Sequence, residues 1–401
     1  MFILYQILLN VTRFVLKITA IFSSRNKVKF KERTTFNKPE SSLPILWFHA
    51  ASYGEFEGIL PIIKQAKSEN KYFILCSFFS DSAYIPLKNH PLVDQAVYAP
   101  FDSAKDVSHF LDVFNPIGLL ISQNEYWPQM IRTCLDRQIQ VHYIGTYVRQ
   151  NHWWLTGITK RLTSSLKDVS SIHLQGAQSY GLMEKAGFTN IHLSGNPRVD
   201  QVLQTKTENR VYPIIKDFAT RKPLLVCGST LPKDNTLLFD LIRQIQSVNM
   251  LIIPHEPETF DYTQLNKTNV NWIKYSDIDG QVAENIQLIV MNTIGDLKYL
   301  YRYGTIAYVG GGFDAGVHSV LEAAVFEIPI LTGPNIQKFK SAVELQNLGC
   351  LIVVNNKLQM ESSIDTILNG DNDSIKDKLE HYINSNAGIS KRIWDSIGLS
   401  R

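Results

Sequence analysis

Two doubly wound α/β halves, each a parallel sheet with helices on both faces, are the fold this sequence predicts, and three observations predict it. The chain has 401 residues, enough for two domains at roughly 100–200 residues each. Hydrophobic residues make up 44% and charged residues 19%, which is average globular usage and excludes a disordered or fibrous chain. From about residue 44 onward, short β-branched apolar runs alternate with amphipathic stretches, the pattern of strand–helix–strand units.

Taken in order, the first element is a basic amphipathic segment. Residues 2–22 read FILYQILLNVTRFVLKITAIF, and the charge-free run ends at Arg13, short of the ~20 apolar residues a spanning helix needs. Gln6, Asn10, Arg13 and Lys17 form one polar stripe on a helix, and Phe2, Leu4, Ile7, Leu8, Val11, Phe14, Val15, Ile18 and Phe22 cover the rest. Such a helix suits a membrane interface, with its cations toward lipid phosphates. The basic residues from Arg25 to Arg33 would add attraction to an anionic leaflet. A helix packed on the protein's own core and a spanning helix with snorkelling cations remain open. No signal-peptide cleavage pattern is evident. Although the whole chain carries only +3, residues 1–33 carry seven basic side chains against the single acid Glu32. That total argues against a nucleic-acid partner.

Next come the runs ILWFHAA (45–51), YFILCSFF (72–79), IGLLIS (117–122) and VHYIGT (141–146), which read as buried strands. A second series follows: LLVCGS (224–229), MLIIPH (250–255), IQLIVM (286–291), TIAYVGGG (305–312) and IPILTG (328–333), with helices intervening, for example over 55–68 and 233–247. The polar stretch 204–222 marks the boundary, giving an anchor segment 1–33, a first domain 34–208 and a second domain 209–401. Two such domains facing each other would bind ligand at the carboxyl ends of their strands. Cys76, Cys134, Cys227 and Cys350 are far apart and read as buried core thiols. No residue set has metal-ligand spacing, and His49, His142, His152, His192 and His381 read as structural.

Three segments could carry chemistry. In HAASYGEFEG (49–58), Gly54 lets a ligand approach the backbone and Glu55 falls near a helix start, where a carboxylate could take a proton from an attacking hydroxyl. Spacing alone favours the plainer reading, in which Glu55 or Glu57 stabilises the first helical turn. In CGSTLPKD (227–234), Gly228, the hydroxyls of Ser229 and Thr230, and the N–H groups of the next helix could hold a phosphate, with an N-cap as the default. VGGGFDAGVHSVLEAA (309–324) ends a strand in three glycines, and His318 and Glu322, four apart, could face one ligand such as a ribose. Neither a Walker-type loop nor a GxGxxG fingerprint is present.

Together, the N-terminal segment, HAASYGE, the Glu125-x-Trp127 segment, GST, a Pro-His turn, IGDL and GGG…H-x-x-x-E resemble the Kdo (3-deoxy-D-manno-octulosonic acid) transferases of lipopolysaccharide synthesis, closest to a Bacteroidetes-like branch. The resemblance runs to about residue 355. It implies a GT-B fold with an acceptor-binding first domain, a donor-binding second domain, and a last helix able to cross back. It also implies inverting, metal-independent transfer of Kdo from CMP-Kdo to a lipid A precursor, with no cofactor, on the cytoplasmic face of a bacterial inner membrane. By the same resemblance Glu55 is the base, Ser52, Gly54 and Glu125 lie at the acceptor, and Gly228, Ser229, Thr230, Pro254, His255, Ile294, Gly295, Gly311, Gly312, His318, Ser319 and Glu322 meet the donor. The chain departs from the family in three places. Pro254-His255-Glu256-Pro257 lacks an arginine, Ser319 replaces an asparagine, and Asp314-Ala315 stands where a cation is common. The alternatives are another GT-B envelope enzyme with a different sugar nucleotide, a catalytically inactive relative, or a sugar-nucleotide epimerase of related architecture, which has no use for residues 1–33.

Overall fold

The computed structural model describes residues 5, 7, 9, 11, 13, 15, 17, 18, 21, 23–157 and 163–399. The chain divides into one unit of 1–201 and 388–401 and a second of 202–387. The division falls inside the helix Arg198–Thr207.

In the first unit, helix α1 (Ser24–Glu32) leads to strand β1 (Ile45–Ala50) and helix α2 (Tyr53–Ser68). Strands β2 (Phe73–Phe78), β3 (Gln95–Tyr98), β4 (Gly118–Ser122), β5 (Gln140–Thr146), β6 (Ser171–Leu174) and β7 (Ile191–Leu193) follow, with helix α3 (Pro128–Asp136) between β4 and β5. All pair in parallel, in the order β3-β2-β1-β4-β5-β6-β7. The period of two shows in β1: Leu46, Phe48 and Ala50 join one apolar layer, while Ile45 and Trp47 join the other with Phe110, Phe114 and Trp154. Chain order reverses between β1 and β4, so their carboxyl ends diverge and leave a crevice there.

The second unit repeats the plan with β8 (Leu224–Thr230), helix α4 (Pro232–Ile242), β9 (Asn249–Pro254), β10 (Trp272–Lys274), β11 (Leu288–Val290), β12 (Ile306–Val309), β13 (Ile330–Thr332) and β14 (Leu351–Val353). The order is β10-β11-β9-β8-β12-β13-β14, and the reversal falls between β8 and β12. Helix α4 stops at Ile242 rather than at 247, because the chain then turns Ile245 and Val248 into the core. Five strands of three or four residues, β3, β6, β7, β10 and β14, were not expected from their sequence. All four cysteines are buried and unpaired.

Helix α5 (Ile389–Ile397) belongs to the first unit and packs on α2. Ile389, Ile393 and Ile397 are at most 5% exposed, and burial of each stabilises by about 1.5–3 kcal/mol. Asp200 fixes the start of α5 by accepting from the Gly388 and Ser390 N–H groups, both at 2.6 Å.

For the N-terminal segment, Phe2, Leu4, Gln6, Leu8, Asn10, Phe14 and Phe22 lie outside the described residues. Among the described residues no helix is long and apolar enough to cross a membrane. Several cations expected to face lipid are engaged within the unit instead. Arg13 forks onto Asp106 at 2.6 and 3.1 Å, and Lys29 pairs with Asp81 at 2.6 Å. Arg33 is 4% exposed; it donates to Ala99 O at 3.0 Å and to Phe79 O, with its guanidinium 4.8 Å from the Phe79 ring. Tyr5 donates to Asp102 at 2.6 Å. On the outward side Ile7, Val11, Val15 and Ile18 are exposed at helical spacing.

The histidines expected to be satisfied are only partly so. His142 Nδ1 lies 2.7 Å from Ser171 Oγ, Ser171 Oγ 2.9 Å from His173 Nε2, and His173 Nδ1 2.9 Å from Ser194 Oγ. Nε2 of His142 and of His49 has no partner among the described residues. Burial, reinforced by the charge of His192, holds His142 down to about 4 and His173 down to about 3. An unfolded chain with ordinary histidines, ~6.5, binds protons that the folded one refuses, so this stability is whole above that pH and lost as pH falls through it. Urea unfolding is expected to show a lower midpoint at about pH 5 than at about pH 7.5, with a smaller difference in the His142→Asn/His173→Gln variant. An acid-insensitive midpoint would contradict the assignment.

Candidate active site

The crevice of the first unit is built by the turns that leave β1 and β4. Ser52 caps α2 and accepts from the Glu55 N–H at 3.4 Å, while Glu55 Oε2 accepts from the Ala51 and Ser52 N–H groups at 2.6 and 3.2 Å. This is a capping box, so the plainer reading of Glu55 is correct as far as it goes. Both bonds fall on Oε2, and among the described residues Oε1 carries none. Ser122 at the end of β4 donates to Glu55 O at 2.8 Å, tying the two strand ends together.

Glu125 lies on the turn after β4, within electrostatic reach of Glu55. That turn is held by Gln123, which has φ +56°, whose N–H donates to Ile144 O at 2.8 Å and whose carbonyl accepts from Thr146 Oγ1 at 2.8 Å. Burial, then the charge of Glu125, pushes the Glu55 carboxyl up to about 7 against the two N–H groups that favour its anion. Burial also raises Glu125. Both side chains are half-buried. Gly54 has open space where a Cβ would stand. Trp127 walls the turn, its ring 6.0 Å from His49 and 5.0 Å from half-exposed Phe79. His49 accompanies these residues as a buried neutral group, held down to about 3 by burial, with Nδ1 2.8 Å from Ser77 Oγ.

In the second unit, the expected donor residues gather where β8 and β12 end. The Gly310 N–H donates to Gly228 O at 2.9 Å, the His255 N–H to Thr230 O at 3.0 Å, and the His255 and His318 rings stack at 4.5 Å. Ser229 sits at φ +51°, an uncommon conformation for a residue with a side chain. The triple glycine is explained by the chain itself. A Cβ on Gly310 would lie 2.4 Å from Ser229 O, on Gly311 2.5 Å from Gly316 O, and on Gly312 2.6 Å from Gly333 N. Gly228 abuts the Tyr301 hydroxyl, and Tyr301 in turn senses the charge of Glu322. Pro254 ends β9 beside Thr230. Ile294, 80% exposed, and Gly295 are on a loop bordering this corner through Leu297, which packs at Gly228.

Sequence reasoning missed Asp234. It is fully buried and accepts from the Leu231 N–H at 2.9 Å, the Gly311 N–H at 2.8 Å and the Tyr308 hydroxyl at 2.5 Å, so it clamps α4 to the glycine turn. Its position at the third residue of a helix that opens with proline was the available signal. The dual use of Glu55 generates a stability test. Glu55→Ala removes the cap and is expected to destabilise by about 1 kcal/mol, whereas Glu55→Gln, which can still accept and has no charge to bury, is expected to melt no lower than the native chain above about pH 7. Equal losses in both variants would contradict this.

Comparison with known proteins finds a family match and relatives along most of the chain. Residues 28–201 match the family model described as 3-deoxy-D-manno-octulosonic-acid transferase. The chain is 24% identical to the 3-deoxy-D-manno-octulosonic acid transferase of Aquifex aeolicus over 80% of its own length and 86% of that protein. It is 22% identical to a bifunctional glycosyltransferase/methyltransferase of Fusobacterium nucleatum, covering 82% of itself and only 53% of that longer protein. Among solved structures, a putative UDP-N-acetylglucosamine 2-epimerase of Listeria monocytogenes shares the fold, with TM-score 0.62 at 12% identity over 89% of this chain and 96% of that one. The family match spans the unit that holds Glu55, and relatives at 23–24% identity run along four-fifths or more of the sequence, so this chain is similar to the Kdo transferases.

Proposed function

We propose that the protein transfers Kdo from CMP-Kdo to a lipid A precursor, with Glu55 as the general base. The observation that carries the reading is the Glu55 carboxyl: half-buried at the strand-order reversal of its sheet, one oxygen unbonded, and poised at about 7. A base with that affinity takes a proton from a hydroxyl yet is ionised near neutrality. The acceptor oxygen bonds to the anomeric carbon as its proton passes to Glu55, and the bond to the CMP phosphate breaks with its electron pair leaving on CMP. Gly228, Ser229, Thr230 and the first N–H groups of α4 supply donors for that phosphate. Glu256 and Asp314, acids beside an anion-binding corner, favour the second reading, a different sugar nucleotide; turnover with CMP-Kdo separates the two.

Localisation is part of the same proposal. Ile7, Val11, Val15 and Ile18 would enter the interface of the cytoplasmic leaflet, where the lipid acceptor resides.

Incubation with labelled CMP-Kdo and a tetra-acylated lipid A precursor, followed by mass analysis of the lipid, tests the reaction. Glu55→Gln is expected to lower turnover about 10²–10⁴-fold while CMP-Kdo still binds, and native turnover is expected to climb with pH through about 7. Near-native turnover in Glu55→Gln would remove Glu55 as the base. For the membrane, Val11→Glu/Val15→Glu is expected to lose co-sedimentation with anionic vesicles; unchanged co-sedimentation would overturn the anchor.

A further inference from the structure

One ion pair at the donor corner has no part in the steps above. Lys233, second residue of α4, places Nζ 2.9 Å from Asp314 Oδ1 and donates to Phe313 O at 3.3 Å, so it bridges the start of the helix to the loop after the glycines. Around it, hydrogen-bonding capacity is left over. Thr230 is 2% exposed, yet its Oγ1 finds no partner among the described residues, and neither do Asp314 Oδ2 and Ser319 Oγ. A buried polar atom without a partner is costly. Of these three, the two hydroxyls can donate, and they point to a ligand that brings its own oxygens.

The charges restrict what that ligand can be. Asp314 lies within electrostatic reach of buried Asp234, so an incoming phosphate meets two carboxylates and finds its attraction in Lys233. The Lys233 side chain is 66% exposed, and an exposed ion pair contributes little, so it separates readily. A charge-assisted bond from the same ammonium to a phosphate at a half-buried helix start is about twice as strong as a neutral one, and the N–H groups of α4 add to it.

We propose that Lys233 is a phosphate-recognising, specificity-determining residue of the donor site, and that Asp314 holds its ammonium at the corner until a donor phosphate takes its place. The unpartnered hydroxyls of Thr230 and Ser319 can then donate to the same phosphate, and the exchange makes the site select against nucleosides that carry no phosphate. The proposal rests on the reading of this unit as a nucleotide-sugar site.

Calorimetric titration of the full-length protein with CMP and with cytidine tests it, with a thermal melt to establish folding. The native chain is expected to bind CMP more tightly than cytidine. Lys233→Ala is expected to weaken CMP about 10-fold or more and leave cytidine unchanged. Asp314→Asn, which releases Lys233, is expected to tighten CMP several-fold and also leave cytidine unchanged. Native-like CMP binding in Lys233→Ala overturns the proposal and leaves the donor reading standing. Weaker cytidine binding in Asp314→Asn overturns the exchange, since Asp314 would then hold the nucleoside. If the native chain binds neither compound, the donor reading itself falls and the proposal falls with it.

Discussion

A parallel sheet whose strand order reverses cannot cover the gap it makes at that point, and in each unit of this protein the chemistry-bearing side chains occupy that gap. Between β1 and β4 the departing turns place Glu55 and Glu125; between β8 and β12 they place the GST turn and the glycines. Each corner is closed by a carboxylate at the third residue of a helix. Glu55 gathers the N–H groups of Ala51 and Ser52, and Asp234 gathers those of Leu231 and Gly311. The two acids share a structural task and differ in what remains. Asp234 has both oxygens bonded and is fully buried, whereas among the described residues Glu55 leaves Oε1 unbonded.

That difference has an energetic consequence. Burial and the neighbouring Glu125 disfavour the Glu55 anion, while the capping N–H groups favour it, and the balance leaves the group near neutrality. The chain therefore tolerates a costly charge at Glu55, a perturbation common at functional sites. His49 in the same crevice goes the other way: burial removes its charge near neutral pH, and its ring supports Trp127 without titrating.

Much of this was legible in the sequence, for identifiable reasons. The long β-branched runs such as ILWFHA and LLVCGST announced their strands, because fully buried strands need unbroken apolar runs. SIHL, IHL and WIK are too short for a period to show, so their strands appear only through pairing with neighbours. The HAASYGE and GST segments were found at the carboxyl ends of their strands. One expectation from composition needed revision. Arg13, Lys29 and Arg33 serve intramolecular partners, because a tally of cations says nothing about which acids and carbonyls the fold brings alongside. The Lys233–Asp314 pair was out of reach for the same reason, since it joins a helix start to a loop eighty-one residues away in the numbering of the chain.

The measurement that bears most directly on the account is a carboxyl-carbon NMR titration of glutamate-labelled protein, with Glu55 assigned by its loss in Glu55→Gln. The account expects the Glu55 resonance to titrate near 7 and to move toward the ordinary carboxylate range, ~4.3, once Glu125→Gln removes the neighbouring charge. A native Glu55 that titrates in the ordinary range, or that is indifferent to Glu125, would contradict it.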